Sequence, residues 1–178
     1  PLAILENLDR LQKLPVKIIF SGEPHESDVK GHEMLDTLLN LIKTKIGDQV
    51  VYIPNYNLEI AKHMVSGCDV WLNTPIVGFE ACGTSGMKAA LNGTLPCSTR
   101  DGWVDEAELY GLGWILENEN LGQNILDILE RDIVPMYYHR PDQWQSHMKN
   151  ARDMAINQFS ATRMLSEYLD KLYPVSVK

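Results

Sequence analysis

The sequence lacks several features that would indicate particular classes of protein. It has no stretch approaching the roughly 20 consecutive apolar residues that a membrane span needs, and no signal-peptide pattern opens it. It has no run of Lys or Arg, and its formal net charge is −8. An acidic chain of this kind is a poor partner for nucleic acid or an anionic membrane. We therefore expect a cytoplasmic protein that binds neither.

Cysteine is scarce, and its spacing indicates neither a disulfide framework nor a metal site. Cys68, Cys82 and Cys97 are the three cysteines, and none of them forms a CxxC pair. An odd number of unclustered cysteines is typical of free thiols in a cytosolic protein. No grouping of His, Cys, Asp and Glu has the spacing of metal ligands, so we expect no metal. The chain also has no internal repeat, low-complexity segment or linker.

The hydrophobic pattern predicts one α/β domain. At 178 residues with 44% hydrophobic content, the chain can bury a single core. Short apolar runs that read as strands alternate with helical patterns, and from residue 121 the chain reads as mostly helical with breaks at Pro135 and Pro141. This alternation predicts a parallel, doubly wound sheet with flanking helices. The predicted strands are 16–20, 49–53, 69–73, 93–98 and 113–116, and the predicted earlier helices are 2–13, 31–45 and 58–65.

The segment 80–88, EACGTSGMK, is the strongest candidate for a ligand site. It follows the third predicted strand, and ligands of such sheets bind beyond the carboxyl ends of the strands. Its glycine-containing loop runs into a helix predicted from Met87, whose first amides could bind a phosphate. Lys88, on the predicted first turn, offers a counter-charge or an amine for a Schiff base. The structural alternative is a simple helix start with Thr84 or Ser85 as the N-cap.

Other chemistries remain open alternatives for the same segment. Ser85 and Lys88 satisfy the S-x-x-K motif of penicillin-recognising enzymes, although the partner motifs S-D-N and K-T-G are missing. Cys82 could act as a thiol nucleophile, because a helix N-terminus can lower a thiol pKa. Trp103 and Trp114 could line a sugar or pack in the core.

Several motifs resemble those of the α-glucan phosphorylases, the family of glycogen, starch and maltodextrin phosphorylases. Segment 80–93 resembles the family's pyridoxal-phosphate segment, EASGTSGMKAALNG. Segments 20–28, 70–75 and 101–107 are similar to the family patterns FAGKAHPxD, VWLNxP and DGWxxEA. The closing helices match as well, through Trp144, Met148, Phe159, Arg163 and Tyr168. The resemblance runs from Val16 to Tyr173 and is greatest with the bacterial and archaeal branch.

This resemblance implies a fold and an activity. Members are two-domain GT-B glycosyltransferases that cleave terminal α-1,4-glucosidic bonds of glycogen or maltodextrin with inorganic phosphate and release glucose 1-phosphate. The chain would be the C-terminal, Rossmann-like half, as one domain over 1–178 with its core at 16–120 and closing helices at 121–173. The N-terminal half would lie in the same or another chain, and a homo-oligomer is possible. One half of a cleft enzyme should not turn over glucan alone.

Site residues follow from the resemblance by position. Lys88 would hold pyridoxal 5′-phosphate as a Schiff base, and Gly83, Thr84 and Ser85 would cradle the cofactor's phosphate. Glu80 would hydrogen-bond a glucose hydroxyl, and Cys82 and Gly83 would contribute at the same sugar. Lys88 and Glu80 are therefore the expected catalytic residues.

The sequence departs from the family pattern at several positions. Cys82 stands where the family usually has serine, and Glu23 replaces the lysine of GKAHP. Segment 76–79 replaces a stretch that commonly ends in Arg-Pro-Leu, and Asn57 stands where animal members have arginine. Two alternatives therefore stay open: a sugar-nucleotide-dependent GT-B glucosyltransferase and a non-catalytic module that binds cofactor or sugar. The glucosyltransferase would have no need for a lysine eight residues after the carboxylate.

Overall fold

The computed structural model describes residues 2–173, and within this part of the chain strands and helices alternate. The strands are β1 (Ile18–Ser21), β2 (Val50–Ile53), β3 (Val70–Asn73), β4 (Leu95–Thr99) and β5 (Trp114–Leu116). The α-helices are α1 (Leu8–Leu11), α2 (Val29–Leu41), α3 (Leu58–Gly67), α4 (Thr84–Leu91), α5 (Leu121–Ile128), α6 (Val134–His139), α7 (Pro141–Phe159) and α8 (Ala161–Lys171). Short 3-10 segments occur at Leu2–Leu5, Gly47–Gln49 and Gly102–Glu106, and π-helical turns at Ile42–Ile46 and Leu129–Ile133.

All five predicted strands are present, with ends that differ by one or two residues. Two helical predictions are wrong in detail. The helix expected over 2–13 is a 3-10 segment followed by the short α1. The break expected at Pro135 does not occur, because this proline lies in the first turn of α6. The π-helical turn Leu129–Ile133 runs directly into α6, and the Val134 amide donates to the Leu129 carbonyl, so the helical path continues past the proline.

Two pairs of strands are parallel, which confirms the predicted α/β class. Strand β1 pairs with β2, with Ile18 opposite Val50, and β3 pairs with β4, with Val70 opposite Leu95. The alternation predicts one sheet, but the structure has a two-stranded sheet, β1-β2, and a three-stranded sheet, β3-β4-β5. A pattern along the chain predicts the strands themselves, whereas the sheet is defined by hydrogen bonds between residues far apart in sequence.

The chain divides into two compact units. The first comprises residues 1–63 and 116–141, and the second comprises 64–115 and 142–178. The predicted single domain over 1–178, with its core at 16–120 and closing helices at 121–173, stays a prediction. Residue 1 and residues 174–178 of that range lie outside the described part of the chain.

The first unit combines an early and a late segment of the chain. Its core includes Leu11, Leu38, Val50, Ile125 and Leu126, each at most 3% exposed. One guanidinium joins the two segments: Arg10 Nη2 lies 2.7 Å from Asp127 Oδ1 and 2.7 Å from Glu130 Oε2. The segment before β1 is thereby held against α5 and the turn that follows it.

The second unit is built around its middle strand, β4, of which every residue is buried. Ala89 and Ala90 on α4 are also fully buried. Gly113, which precedes β5, needs to lack a side chain because a Cβ there would collide with the Pro96 carbonyl. This packing fixes β3, β4 and α4, the three elements that carry the candidate site.

Candidate active site

The candidate site lies at the carboxyl edge of the second sheet. Strands β3 and β4 run in parallel with Asn73 opposite Ser98, so the loops that follow them leave the sheet at the same edge. The Thr99 hydroxyl donates to the Pro75 carbonyl at 3.4 Å, which links the two loops where they begin. The loop 74–83 then leads directly into α4. The predicted position of the 80–88 segment at a ligand-binding sheet edge therefore agrees with the structure.

Helix α4 begins at Thr84, three residues before the predicted start at Met87. Gly83 is its N-cap, with φ +75° and no side-chain cap hydrogen bond. The left-handed conformation, which glycine adopts most readily, turns the chain into the helix. The predicted N-cap role of Thr84 or Ser85 is therefore wrong. The helix opens instead with the amides of Thr84 and Ser85, because the Gly86 amide donates to the Gly83 carbonyl at 3.2 Å.

The earlier helix start also moves Lys88. It is the fifth residue of α4, so its predicted position on the first turn is wrong. Residues four apart lie on the same face of a helix, which places Lys88 above Thr84. The side chains of Thr84, Ser85 and Lys88 are all exposed. An exposed amine thus lies one helical turn after the residues whose amides open the helix.

Glu80 is half-buried, and two glycines make room for its side chain. A Cβ on Gly83 would lie 2.6 Å from Glu80 Oε1, and a Cβ on Gly102 would lie 2.9 Å from Glu80 Cγ. Both glycines have positive φ, at +75° and +54°. The Glu80 carboxylate therefore lies beside the loop that opens α4, close to Gly83.

Asp101 organises this loop, a role that was not predicted from the sequence. Its Oδ2 accepts hydrogen bonds from the amides of Gly78 (2.9 Å), Phe79 (3.2 Å) and Glu80 (3.0 Å). The amide of Glu80 is the main cause that lowers the pKa of Asp101 below its ordinary value, and the amides of Gly102, Gly78 and Phe79 add to it. A signal was available, because Asp-Gly shortly after a strand is typical of a turn in which the carboxylate accepts backbone hydrogen bonds.

The tryptophans proposed as possible sugar contacts pack within the second unit. Trp103 is 3% exposed, and its ring meets that of Phe159 edge-on at 5.3 Å. A Cβ on Gly86 would lie 2.7 Å from Trp103 Nε1, so the indole covers the start of α4. Trp114 is half-buried and stacks on His147 at 6.4 Å. The core alternative therefore fits Trp103.

The three thiols are free, as expected, and differ in burial. Cys97 is fully buried in β4, and burial raises its pKa to about 12. Burial also raises the pKa of Cys68, with a smaller contribution from Asp69. Cys82 is half-buried in the candidate site, and its carbonyl accepts a hydrogen bond from the Trp103 amide at 2.9 Å.

Two of the departures from the family pattern have local structural partners in the first unit. The Glu23 carboxylate accepts a hydrogen bond from the amide of Asn55 at 3.1 Å, and Asn55 has a φ of +58°. The Asn57 side-chain oxygen accepts from the amides of Glu59 and Ile60, each at 3.0 Å, at the start of α3. These side chains stabilise the segment between β2 and α3.

The described residues, 2–173, contain neither a membrane-spanning helix nor a group of metal-binding side chains. No helix in this range combines the length and apolar character needed to cross a membrane. In the same range, no three His, Cys, Asp or Glu side chains are grouped so that they could hold a metal ion.

The sequence has well-defined relatives. It is 36% identical to glycogen phosphorylase of Aquifex aeolicus, over 100% of this chain and 29% of that protein. It is 37% identical to maltodextrin phosphorylase of Thermococcus litoralis, over 96% of this chain and 23% of that protein. The chain therefore spans less than a third of the length of these relatives.

The fold and a family model agree with these relatives. The solved structure of Anabaena Alr3699/HepE in complex with UDP superposes with a TM-score of 0.71, at 17% identity, over 93% of this chain and 43% of that one. The fold is thus that of one half of a GT-B glycosyltransferase, as predicted. The family model for carbohydrate phosphorylases matches residues 5–111. This match and the identity to the two phosphorylases agree with the motifs around Lys88, and the chain belongs to the carbohydrate phosphorylase family.

Proposed function

We propose that this chain is the cofactor-binding part of an α-glucan phosphorylase. The observation that carries the proposal is the junction between β3 and α4, where the exposed Lys88 lies one helical turn after Thr84, whose amide opens the helix. Glu80 lies beside the same junction. Among proteins of this family, such a site suits pyridoxal 5′-phosphate next to a sugar.

The residues present fit this cofactor. Its phosphate needs several N–H donors and positive potential, and the amides of Thr84 and Ser85 supply both at the start of α4. Gly83, the N-cap, has no side chain that could bond these amides in place of the phosphate. Lys88 carries the amine to which the cofactor's aldehyde would be joined. When bound, the cofactor supplies a phosphate group that exchanges a proton with the substrate phosphate.

The sugar would lie beside Glu80. Its carboxylate accepts hydrogen bonds, which suits a glucose hydroxyl. Gly83 and Cys82 border the same space. The Cys82 thiol is a weaker donor than the serine that the family usually has there, so we expect a weaker sugar contact at this position.

The activity of the whole enzyme would be phosphorolysis. The terminal α-1,4-glucosidic C–O bond breaks, a C–O bond to inorganic phosphate forms with retained configuration, and the proton passes to the departing glucan oxygen. Because the chain spans 29% and 23% of its relatives, we infer that further residues, in the same or another polypeptide, complete the cleft. We expect no turnover by the 178 residues alone, and their cytoplasmic location stays a prediction.

Reductive trapping tests the cofactor site. The purified chain is incubated with pyridoxal phosphate, reduced with borohydride, and its labelled peptides are mapped by mass spectrometry. We expect close to one label per chain, on Lys88, and loss of that label in K88R. The matched control is K30R, which makes the same substitution at an exposed lysine of α2 and should keep the label on Lys88.

The opposite result would favour one of the alternatives. Label scattered over several lysines and unchanged in K88R would contradict the cofactor site. Saturable binding of UDP-glucose by such an unlabelled chain would favour the sugar-nucleotide-dependent glucosyltransferase. Stoichiometric label on Lys88, without phosphorolysis after addition of the rest of the enzyme, would favour a non-catalytic module.

A further inference from the structure

The turn after β4, residues 101–103, contacts the candidate site at three successive positions. These residues begin a 3-10 segment, Gly102–Glu106, which Asp101 caps through its own side chain. Each of the three also reaches the loop 74–83 or the start of α4. Both segments belong to the second unit.

The two oxygens of the Asp101 carboxylate accept hydrogen bonds from different parts of the chain. Oδ1 accepts from the amide of Gly102 at 2.9 Å, which is a local cap. Oδ2 accepts from three consecutive amides, those of Gly78, Phe79 and Glu80. Three successive amides can converge on one oxygen only if the backbone curls around it, and Gly78 has a φ of +89° that allows this curl. Capping the 3-10 segment needs only Oδ1, so the three hydrogen bonds to Oδ2 serve the loop.

The next two residues hold the far end of the same loop. Gly102 has no side chain, and a Cβ there would lie 2.6 Å from the Cys82 carbonyl oxygen. The amide of Trp103 donates to that oxygen at 2.9 Å. The Trp103 indole then covers Gly86 in the first turn of α4. The segment from Gly78 to Gly86 is therefore tied to the turn at both ends.

We propose that Asp101 is a positioning residue, whose carboxylate fixes the loop 78–82 so that Glu80 is presented to the sugar. This inference rests on the proposed function, because it concerns how the Glu80 side of that site is built. Asp101 does not touch the sugar in this assignment. It acts through the backbone of Glu80, and it lies in the turn after β4, whereas Lys88 lies on α4.

Amide resonances test the contact directly. In a two-dimensional 15N–1H spectrum, amides bonded to a carboxylate should shift together as that carboxylate is protonated. We expect the resonances of Gly78, Phe79 and Glu80 to titrate with one midpoint below the ordinary Asp pKa, and this titration to vanish in D101N. The Glu80 carboxylate lies beside the same loop, so the titration is repeated in E80Q, where it should persist.

Thiol modification tests the consequence for the site. We expect D101N to raise the rate at which Cys82 reacts with a thiol reagent by about tenfold, since losing hydrogen bonds to a charged group changes local opening by that order. Cys97, buried in β4, should stay unreactive and so report that the fold is intact. The control D105N makes the same substitution at an exposed residue of the same turn and should leave Cys82 unchanged.

Distinct outcomes separate the two proposals. Unchanged loop resonances and an unchanged Cys82 rate in D101N would overturn the positioning role. If D101N does not fold, the titration in the unsubstituted chain and partial rescue in D101E decide the question. Lys88 labelling is measured on the same samples. Its absence from the unsubstituted chain would overturn the proposed function, while the loop measurements would still support or contradict the role of Asp101.

Discussion

Gly86 and Gly67 are both helical glycines, but their surroundings differ. A Cβ on Gly86 would lie 2.7 Å from Trp103 Nε1 and 3.1 Å from two further indole atoms. Around Gly67, the last residue of α3, nothing lies within 4 Å of a Cβ. Gly86 is therefore needed for the close approach of Trp103 to α4, whereas Gly67 only weakens its helix.

This difference predicts opposite effects of the same substitution. We expect Gly86→Ala to lower the free energy of unfolding by about 1–3 kcal/mol, because the added methyl overpacks the indole. Gly67→Ala should raise it by up to about 1 kcal/mol, because alanine has the higher helix propensity. Urea unfolding followed by circular dichroism measures both. If both substitutions changed the free energy of unfolding equally, the methyl added at position 86 would not overpack the Trp103 indole.

Helices α7 and α8 follow one another in the chain and differ in burial. Helix α7 buries Trp144, Ala151, Met154 and Ala155. Helix α8 has a clear apolar face but buries no residue, and its Leu165 and Leu169 are 56% and 50% exposed. The pattern from residue 121 onward predicted helix for both segments alike. It could not predict which apolar face is covered within this chain, because covering depends on a neighbour that is distant in sequence.

The exposure of α8 predicts a small energetic contribution to the folded chain. Leu165→Ala should change the free energy of unfolding by less than about 0.5 kcal/mol. The same substitution at Leu109, which is 1% exposed, should cost about 2–5 kcal/mol because it leaves a cavity. Thermal or urea unfolding of the two variants provides the measurement. A cost at Leu165 comparable to that at Leu109 would mean that α8 is packed in solution.

Arg10 connects parts of the first unit that are more than a hundred residues apart in sequence. Besides its bonds to Asp127 and Glu130, its Nη1 donates to Gln123 Oε1 at 2.6 Å. The hydrogen bonds from Arg10 are the main cause that lowers the pKa of Asp127 and of Glu130 below their ordinary values. The side chain of Arg10 is one-quarter exposed, so salt should screen its ion pairs.

These lowered pKa values predict how acid affects the folded chain. A carboxylate whose pKa is lower when folded stabilises the fold above its unfolded pKa, about 4. That stabilisation is lost as pH falls through the folded pKa. We therefore expect R10Q to lower the urea midpoint at pH 7 in low salt, and the difference from the unsubstituted chain to shrink near pH 3.

A second arginine and added salt serve as controls for this prediction. R152Q, at an exposed position of α7, should leave the midpoint nearly unchanged at both pH values. High salt should reduce the effect of R10Q at pH 7. An effect of R10Q that is the same at pH 3 and pH 7 would contradict the role of the two carboxylates.

The sequence by itself determined the family, the order of strands and helices, and the segment that carries the candidate site. These properties are local: apolar periodicity sets each element, and the motif EACGTSGMK lies within nine consecutive residues. The proposed roles of Lys88 and Glu80 follow from the position of these residues in the family motif. The sequence pattern predicted the start of α4 three residues too late, because it did not show that Gly83 adopts a left-handed conformation and begins the helix.

The role of Asp101 became visible in the three-dimensional structure. The 78–80 amides and the Asp101 carboxylate lie more than 20 residues apart in sequence, and they meet because β3 and β4 are parallel neighbours with a fixed register. The division into two sheets and the contact of Arg10 with Glu130 arise in the same way. Each depends on hydrogen bonds between segments that are distant along the chain, and neither periodicity nor spacing encodes which segments will meet.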